Sequence, residues 1–311
     1  MTTVTRTNSS ARSPKDQPAR TSGWPLVLVA ITLLSLAGWT YLAAMIADMI
    51  PAMDMTEAGP GMGVFNQFNI FKGLSADARA ALAALCLPAG ATFGMPGPEM
   101  TVADLLKIFL MWAMMSLAMM LPSASPMLRA YTLKISTPDR STRVAALQAF
   151  MATLGYLLVW LGYALVATAA QWLLSRIGGL NDMMAPVSLA LTTSVLFAAG
   201  LYQFTPAKRS CLQRCWYPRW SFASQTGPNH ITTGLREGLV QGWACLGCCW
   251  AVMSVMFAVG LMNIVWIALL GGVMALEKTF PSRTFPAVIG VFLVIWAAFL
   301  TIVILFKGSA L

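Results

Sequence analysis

Charge is what this chain has least of. Of its 311 residues only 10% are Asp, Glu, Lys or Arg, against roughly a quarter in an ordinary soluble domain. Histidine is nearly absent: His230 is the one present. A histidine-rich zinc hydrolase and a bis-histidine haem site are therefore excluded by counting alone. There is no Walker loop, no Gly-x-Gly-x-x-Gly entering a helix and no Ser-centred nucleophile elbow. No repeat of fixed period is present. What remains is apolar: 58% of the residues are hydrophobic, and several apolar runs exceed the roughly 20 residues needed to cross a bilayer. These features predict an all-α, polytopic transmembrane helix bundle. The formal net charge of +9 then reads as basic loops on one membrane face. It does not indicate a nucleic-acid partner; the expected partner surface is the lipid bilayer.

Residues 1–23 are polar, rich in Ser, Thr and Arg, and predict a disordered basic cytoplasmic tail. The transmembrane domain follows over 24–311. Its first span, 24–47, is too long for a signal-peptide core and lacks a clean small-x-small cleavage site. A long exterior loop, 48–101, holds Asp48, Asp54, Glu57, Asp77 and Glu99. Within it the stretch from Ser75 reads as a short capped helix. Further spans are expected near 102–121, 144–173, 186–204, 239–260, from Asn263 to Lys278, and 285–306, giving about seven. With the N-terminus inside, cytoplasmic segments carry 15 of the 20 Lys and Arg residues, so the chain should run N-in and C-out. A re-entrant hairpin in place of the fifth and sixth spans is the alternative for that stretch.

Five of the six cysteines lie between Tyr202 and Trp250. Cys245, Cys248 and Cys249 are spaced i, i+3, i+4 and share one face of a helix. Cys211 and Cys215, four apart, sit in the basic segment expected as a loop over 205–238; one helical turn would align them as well. If that segment folds back, five sulfurs converge near one membrane interface. Soft thiolates in such a cluster suit Cu(I), the favoured ion, or Zn(II). A single helix can aim only two or three of its sulfurs at one ion, so Cys211 or Cys215 should complete the shell. Small buried cysteines are common in membrane helices, but two clusters at ligand spacing exceed what packing calls for. The expected compartment is reducing, which disfavours structural disulfides.

Methionine is abundant, at 21 residues. Met45, Met49, Met53 and Met55 near the outer end of the first span form a thioether-rich stretch that could serve as a secondary soft-metal site, with Asp48 and Asp54 beside it. Met111 and Met115 share a face of the second span, where packing is the competing explanation. Glu277 lies near the cytoplasmic end of the sixth span. An ionisable residue there is a candidate functional carboxylate, although its neighbour Lys278 suggests a snorkelling pair at the interface.

Read in order, Met-Trp-x-Met-Met-x-x-Ala-Met-Met-x-Pro at 111–122, Tyr-Gln-x-x-Pro-x-Lys-x-x-Cys-Leu-x-x-Cys at 202–215, Gly-x-x-Cys-Leu-Gly-Cys-Cys-Trp at 242–250, Gly-x-Met-Asn at 260–263 and Glu-Lys at 277–278 resemble the bacterial family of predicted metal-binding integral membrane proteins. The resemblance covers about 100–290 and implies a multi-pass protein that binds metal. The expected function is binding and handling of a soft metal ion in a bacterial inner membrane, by delivery to another protein or transport across the membrane. A metalloenzyme or a soluble metal carrier is the expected partner. A membrane thiol–disulfide oxidoreductase and a non-catalytic assembly subunit are the alternatives.

Overall fold

The computed structural model describes residues 23–51, 54–69, 73–74, 101–136, 141–181, 184–220 and 230–308. The tail expected before Gly23, the short helix from Ser75, and Met53 and Cys86 lie outside these. The described residues are helical, with one isolated bridge between Leu180 and Pro186 as the only extended pairing among them. Helix α1 is Trp24–Met49, α2 Val102–Ile135, α3 Thr142–Arg176, α4 Leu189–Tyr202, α5 Pro206–Trp216 and α6 His230–Ser254, continued by the turn Met256–Val259. Helices α7, Ile264–Thr279, and α8, Thr284–Gly308, complete the bundle.

The all-α expectation holds. Five helices are long and apolar enough to cross a membrane: α1, α2, α3, α6 with its continuation, and α8. The other two expected spans are shorter. With 14 residues in α4 and 16 in α7, each rises only about 21–24 Å, against a hydrocarbon core of about 30 Å. Apolar side chains such as Val291, Phe292, Ile295 and Phe299 on α8 are exposed. An unbroken apolar face of this kind is what lipid contact requires.

Helix α2 corrects one expectation. The second span was expected to end at Leu121, before Pro122, yet the helix runs to Ile135 through both Pro122 and Pro126. Pro122 has no N–H to offer the carbonyl four residues back, that of Ala118. The Trp39 indole on α1 donates to that carbonyl instead, at 3.1 Å. A π-helical turn at Ser116–Met120 absorbs the disturbance, as such turns do inside long helices. Other side chains satisfy the neighbouring carbonyls: Ser35 donates to Leu117, and Tyr156 and Ser123 donate to Met120.

The α3–α6 pair is the most extensive helix contact, and its cause is legible in the chain. Gly234, Gly238 and Gly242 repeat at i, i+4, i+8 along α6. A Cβ at any of them would strike α3: the Gln148 carbonyl, the Ala152 carbonyl and Val159 respectively. Small residues at this spacing let two backbones close directly on each other. Cys245 lies one further turn along the same stripe and so is delivered against Tyr156 of α3. At the opposite end of α6 the chain turns at Gly260, whose φ of +101° favours glycine. Asn263 then caps α7 by accepting from Trp266 N–H, and donates to Pro60 O at 2.9 Å. Residues 54–69 are thereby tied to the α6–α7 turn.

Candidate metal centre

The expected loop over 205–238 is helical in two places. Thr205 caps the first of these, α5, accepting from Lys208 N–H, and Pro206 occupies its first turn, a favourable start for a helix. Helix α6 begins at His230, nine residues before the expected start of the fifth span. On α5 the positions 208, 211, 212 and 215 share one face. That face is turned inward: Lys208 and Leu212 are buried, and Cys211 and Cys215 are half-buried.

The sulfurs converge. The Sγ atoms of Cys245, Cys248 and Cys249 lie within 4.8 Å of one another, all buried. Cys248 Sγ is 3.3 Å from Cys249 Sγ, and Cys215 Sγ reaches to 3.8 Å from Cys248 Sγ. Cys211 packs over Gly247, where a Cβ would stand only 2.5 Å from its sulfur. A side chain at position 247 would push the Cys211 sulfur aside. The Tyr202 hydroxyl donates to the Gly247 carbonyl at 2.6 Å and ties α4 to the same point.

An ammonium completes the cluster. Lys278 Nζ donates to Cys245 Sγ at 3.0 Å and to Ser123 Oγ at 2.7 Å, and Tyr156 Oη is 2.9 Å from Cys245 Sγ. Tyr156 has one proton and two neighbours. It donates either to Met120 O, receiving the Cys245 thiol proton, or to a Cys245 thiolate. Burying a thiolate with no cation nearby is costly, and Lys278 supplies the cation. A cavity of about 20 Å³ lies against Cys215, Cys245, Tyr156 and Lys278, with Gln241 and Met127 also on its wall. That is room for one water-sized occupant. The sulfur donors, the adjoining positive charge and the small void together fit a soft monovalent or divalent ion.

Glu277 is not a snorkelling partner of Lys278. Both its carboxylate oxygens meet Lys208 Nζ, at 2.8 and 2.9 Å, and both side chains are fully buried. The adjacent Trp216 indole donates to the Glu277 carbonyl at 2.8 Å. Helix α5 is therefore fastened to α7 at two points, one on either side of its cysteines. On α5 burial pushes the Cys211 thiol up from its ordinary range, with Arg214 opposing. The contact with Cys245, more than burial, holds Cys215 well above that range.

The methionines divide differently from expectation. Met45, Met49, Met55, Met111 and Met115 are buried in the apolar core. Asp54 caps the turn Met55–Ala58 and accepts from Thr56 and from the Asn66 amide at 2.6 Å, so one of its oxygens is spent on loop structure. The methionine that lines the small cavity beside Cys215 and Cys245 is Met127, which the sequence reading passed over. Lys278, Tyr156, Ser123 and Lys208 were also missed as neighbours of the cysteines. The Lys in the Cys-bearing motif and the charge pair at 277–278 were the available signals; for Tyr156 and Ser123 there was none.

Fold and cluster define a helical bundle of membrane type built around a buried soft-donor centre. Residues 109–300 match PpoB2, a copper chaperone family, and the chain belongs to that family. The matched stretch contains the five clustered cysteines, Lys208, Glu277 and Lys278. No curated protein and no solved structure matches the chain.

Proposed function

We propose that this protein binds Cu(I) as cargo at the sulfur cluster and passes it to another protein, a metalloenzyme or a soluble metal carrier. The observation that carries the reading is the approach of Cys215 on α5 to Cys248 within the triplet of α6. Cys215, Cys245, Cys248 and Cys249 are the ligand set, with Cys211 at its edge. Zn(II) is the competing ion, but membership of a copper chaperone family favours copper. Met49, Met55, Met111 and Met115 then serve packing, or form, with Met53, a secondary thioether site.

The setting we infer is a bacterial inner membrane, with the N-terminus and the basic ends of α2, α5 and α6 in the cytoplasm. Seven crossings follow if α4 and α7, short as they are, span a bilayer locally thinned around the bundle. Residues 1–23 would then be the cytoplasmic tail and 48–101 the exterior loop.

Elemental analysis of the purified protein tests the reading. It should carry copper, and Cys245→Ser with Cys249→Ser should abolish the binding. Metal retained unchanged in that double variant would remove the α6 cysteines from the site. The Cys215–Cys248 approach also suits a thiol–disulfide couple. A metal-free protein that passes reversibly between dithiol and disulfide, and never holds copper, would favour that second reading.

A further inference from the structure

Helix α5 has a second face. Positions 210 and 213 point away from the sulfurs and Arg214 lies to their side; the three line a cavity of about 450 Å³ with Trp216, Arg219 and Arg283. Three arginines contribute to this wall, and no Asp or Glu does. A neighbouring cavity of about 340 Å³ shares Gln213, Trp216 and Arg283 with it; its other walls are apolar at Phe204, Leu212, Pro286 and Ala287 and polar at Gln203 and Arg209. Arg283 stands immediately before α8, whose exposed apolar face begins with residues such as Val288 and Val291. The pair of cavities therefore sits where an apolar span meets its polar end, the level of lipid headgroups.

We infer that the two cavities form one phospholipid site, with the phosphate of an anionic lipid among Arg214, Arg219 and Arg283 and its glycerol and acyl portion in the adjoining apolar groove. Arginine matches phosphate oxygens in bidentate geometry, and basic pockets between membrane helices recognise anionic headgroups. A free phosphate would use the arginines and leave the apolar cavity unfilled. An acidic copper carrier docked here would meet no sulfur, because neither Cys211 nor Cys215 lines either cavity. The lipid is the occupant that uses both cavities. The inference depends on membrane insertion and is independent of the copper reading.

The test is lipid counting by native mass spectrometry on protein stripped of lipid in mild detergent, then titrated with phosphatidylglycerol or phosphatidylcholine. Phosphatidylglycerol should bind at one site about tenfold or more tightly than phosphatidylcholine. R214Q/R219Q/R283Q should lose that preference while keeping its helical content, since all three arginines are exposed. Ala287→Trp, which fills the second cavity while leaving all the arginines in place, should lose it as well. Equal binding of the two lipids, retention by the triple variant, or displacement of the lipid by glycerol 3-phosphate at comparable concentration would overturn the proposal. So would capture of an acidic soluble protein that is lost in the same variant while lipid binding is not. A wild-type protein without copper would sink the copper reading and leave this result standing.

Discussion

The Sγ of Cys215 lies 3.8 Å from that of Cys248, on a different helix and 33 residues away in sequence. That contact makes the donor set a shared product of α5 and α6. Cys211, by contrast, is engaged with Gly247 at the rim. Cys215→Ser should therefore weaken Cu(I) binding by about tenfold or more, about 1.4 kcal/mol, and Cys211→Ser should do clearly less. Competition against a colorimetric Cu(I) chelator measures both. Equal losses would mean that the two cysteines act alike and that the rim position of Cys211 has been misjudged.

The Lys208–Glu277 pair fastens the helix that carries those cysteines. Removing one partner strands a buried charge, at a cost on the order of 3–5 kcal/mol. Lys208→Met should lower the unfolding midpoint in detergent and loosen α5. Lys208→Met with Glu277→Leu should recover most of the stability, because two apolar side chains replace two satisfied charges. If the double variant is no better than the single, Glu277 has a task beyond holding α5.

How much of this was legible in the sequence follows from geometry along a helix. The cysteine spacing told which sulfurs share a face, and the basic segments told which ends of the bundle lie together. The pairing of Glu277 could not be read so simply. Adjacent residues on a helix point about 100° apart, so Glu277 and Lys278, neighbours in sequence, address different helices: one reaches Lys208, the other Cys245. Helix α5 read as a loop because five of its eleven residues are polar or charged and it is too short to show an apolar stripe. The continuation of α2 past Pro122 depends on a donor, Trp39, from 79 residues earlier, which no local pattern announces.

Topology is open to direct measurement. Reporter fusions after Gly179, between α3 and α4, should read exterior, and fusions after Gln225, between α5 and α6, should read cytoplasmic. The reverse at both positions would put the sulfur cluster toward the outside. With those two readings α4 crosses, and a fusion after Lys307 then tests α7: an exterior reading fits seven crossings, and a cytoplasmic one means that α7 does not cross.

Copper loading should release protons. The Cys215 thiol is held above its ordinary range by its contact with Cys245, so it is protonated at neutral pH, and a metal takes the thiolate. Each proton displaced makes the apparent affinity rise by up to about tenfold per pH unit while pH stays below the raised value. Affinity should therefore climb from pH 6 to pH 8, with proton release visible in weakly buffered titrations. A flat profile would mean that Cys215 enters the site as a neutral thiol or stays out of it.

Lys278 decides what the cluster does with charge. Its ammonium stands 3.0 Å from Cys245 Sγ and is anchored by Ser123. Two opposite effects compete. The ammonium repels an incoming Cu(I), but it attracts the thiolates that hold the ion. A Cu(I) bound by two or more thiolates carries net negative charge, so attraction should win once the complex is formed, and burial strengthens it. Lys278→Met keeps the length and apolar stem of the side chain and removes the charge. It should weaken Cu(I) binding by at least about tenfold, on the order of 1.4 kcal/mol, with the helical content preserved. Lys278→Arg should restore part of the loss, since the charge returns with a bulkier head. Tighter binding in the methionine variant would show that repulsion dominates, and that Lys278 serves to drive the ion out toward its acceptor.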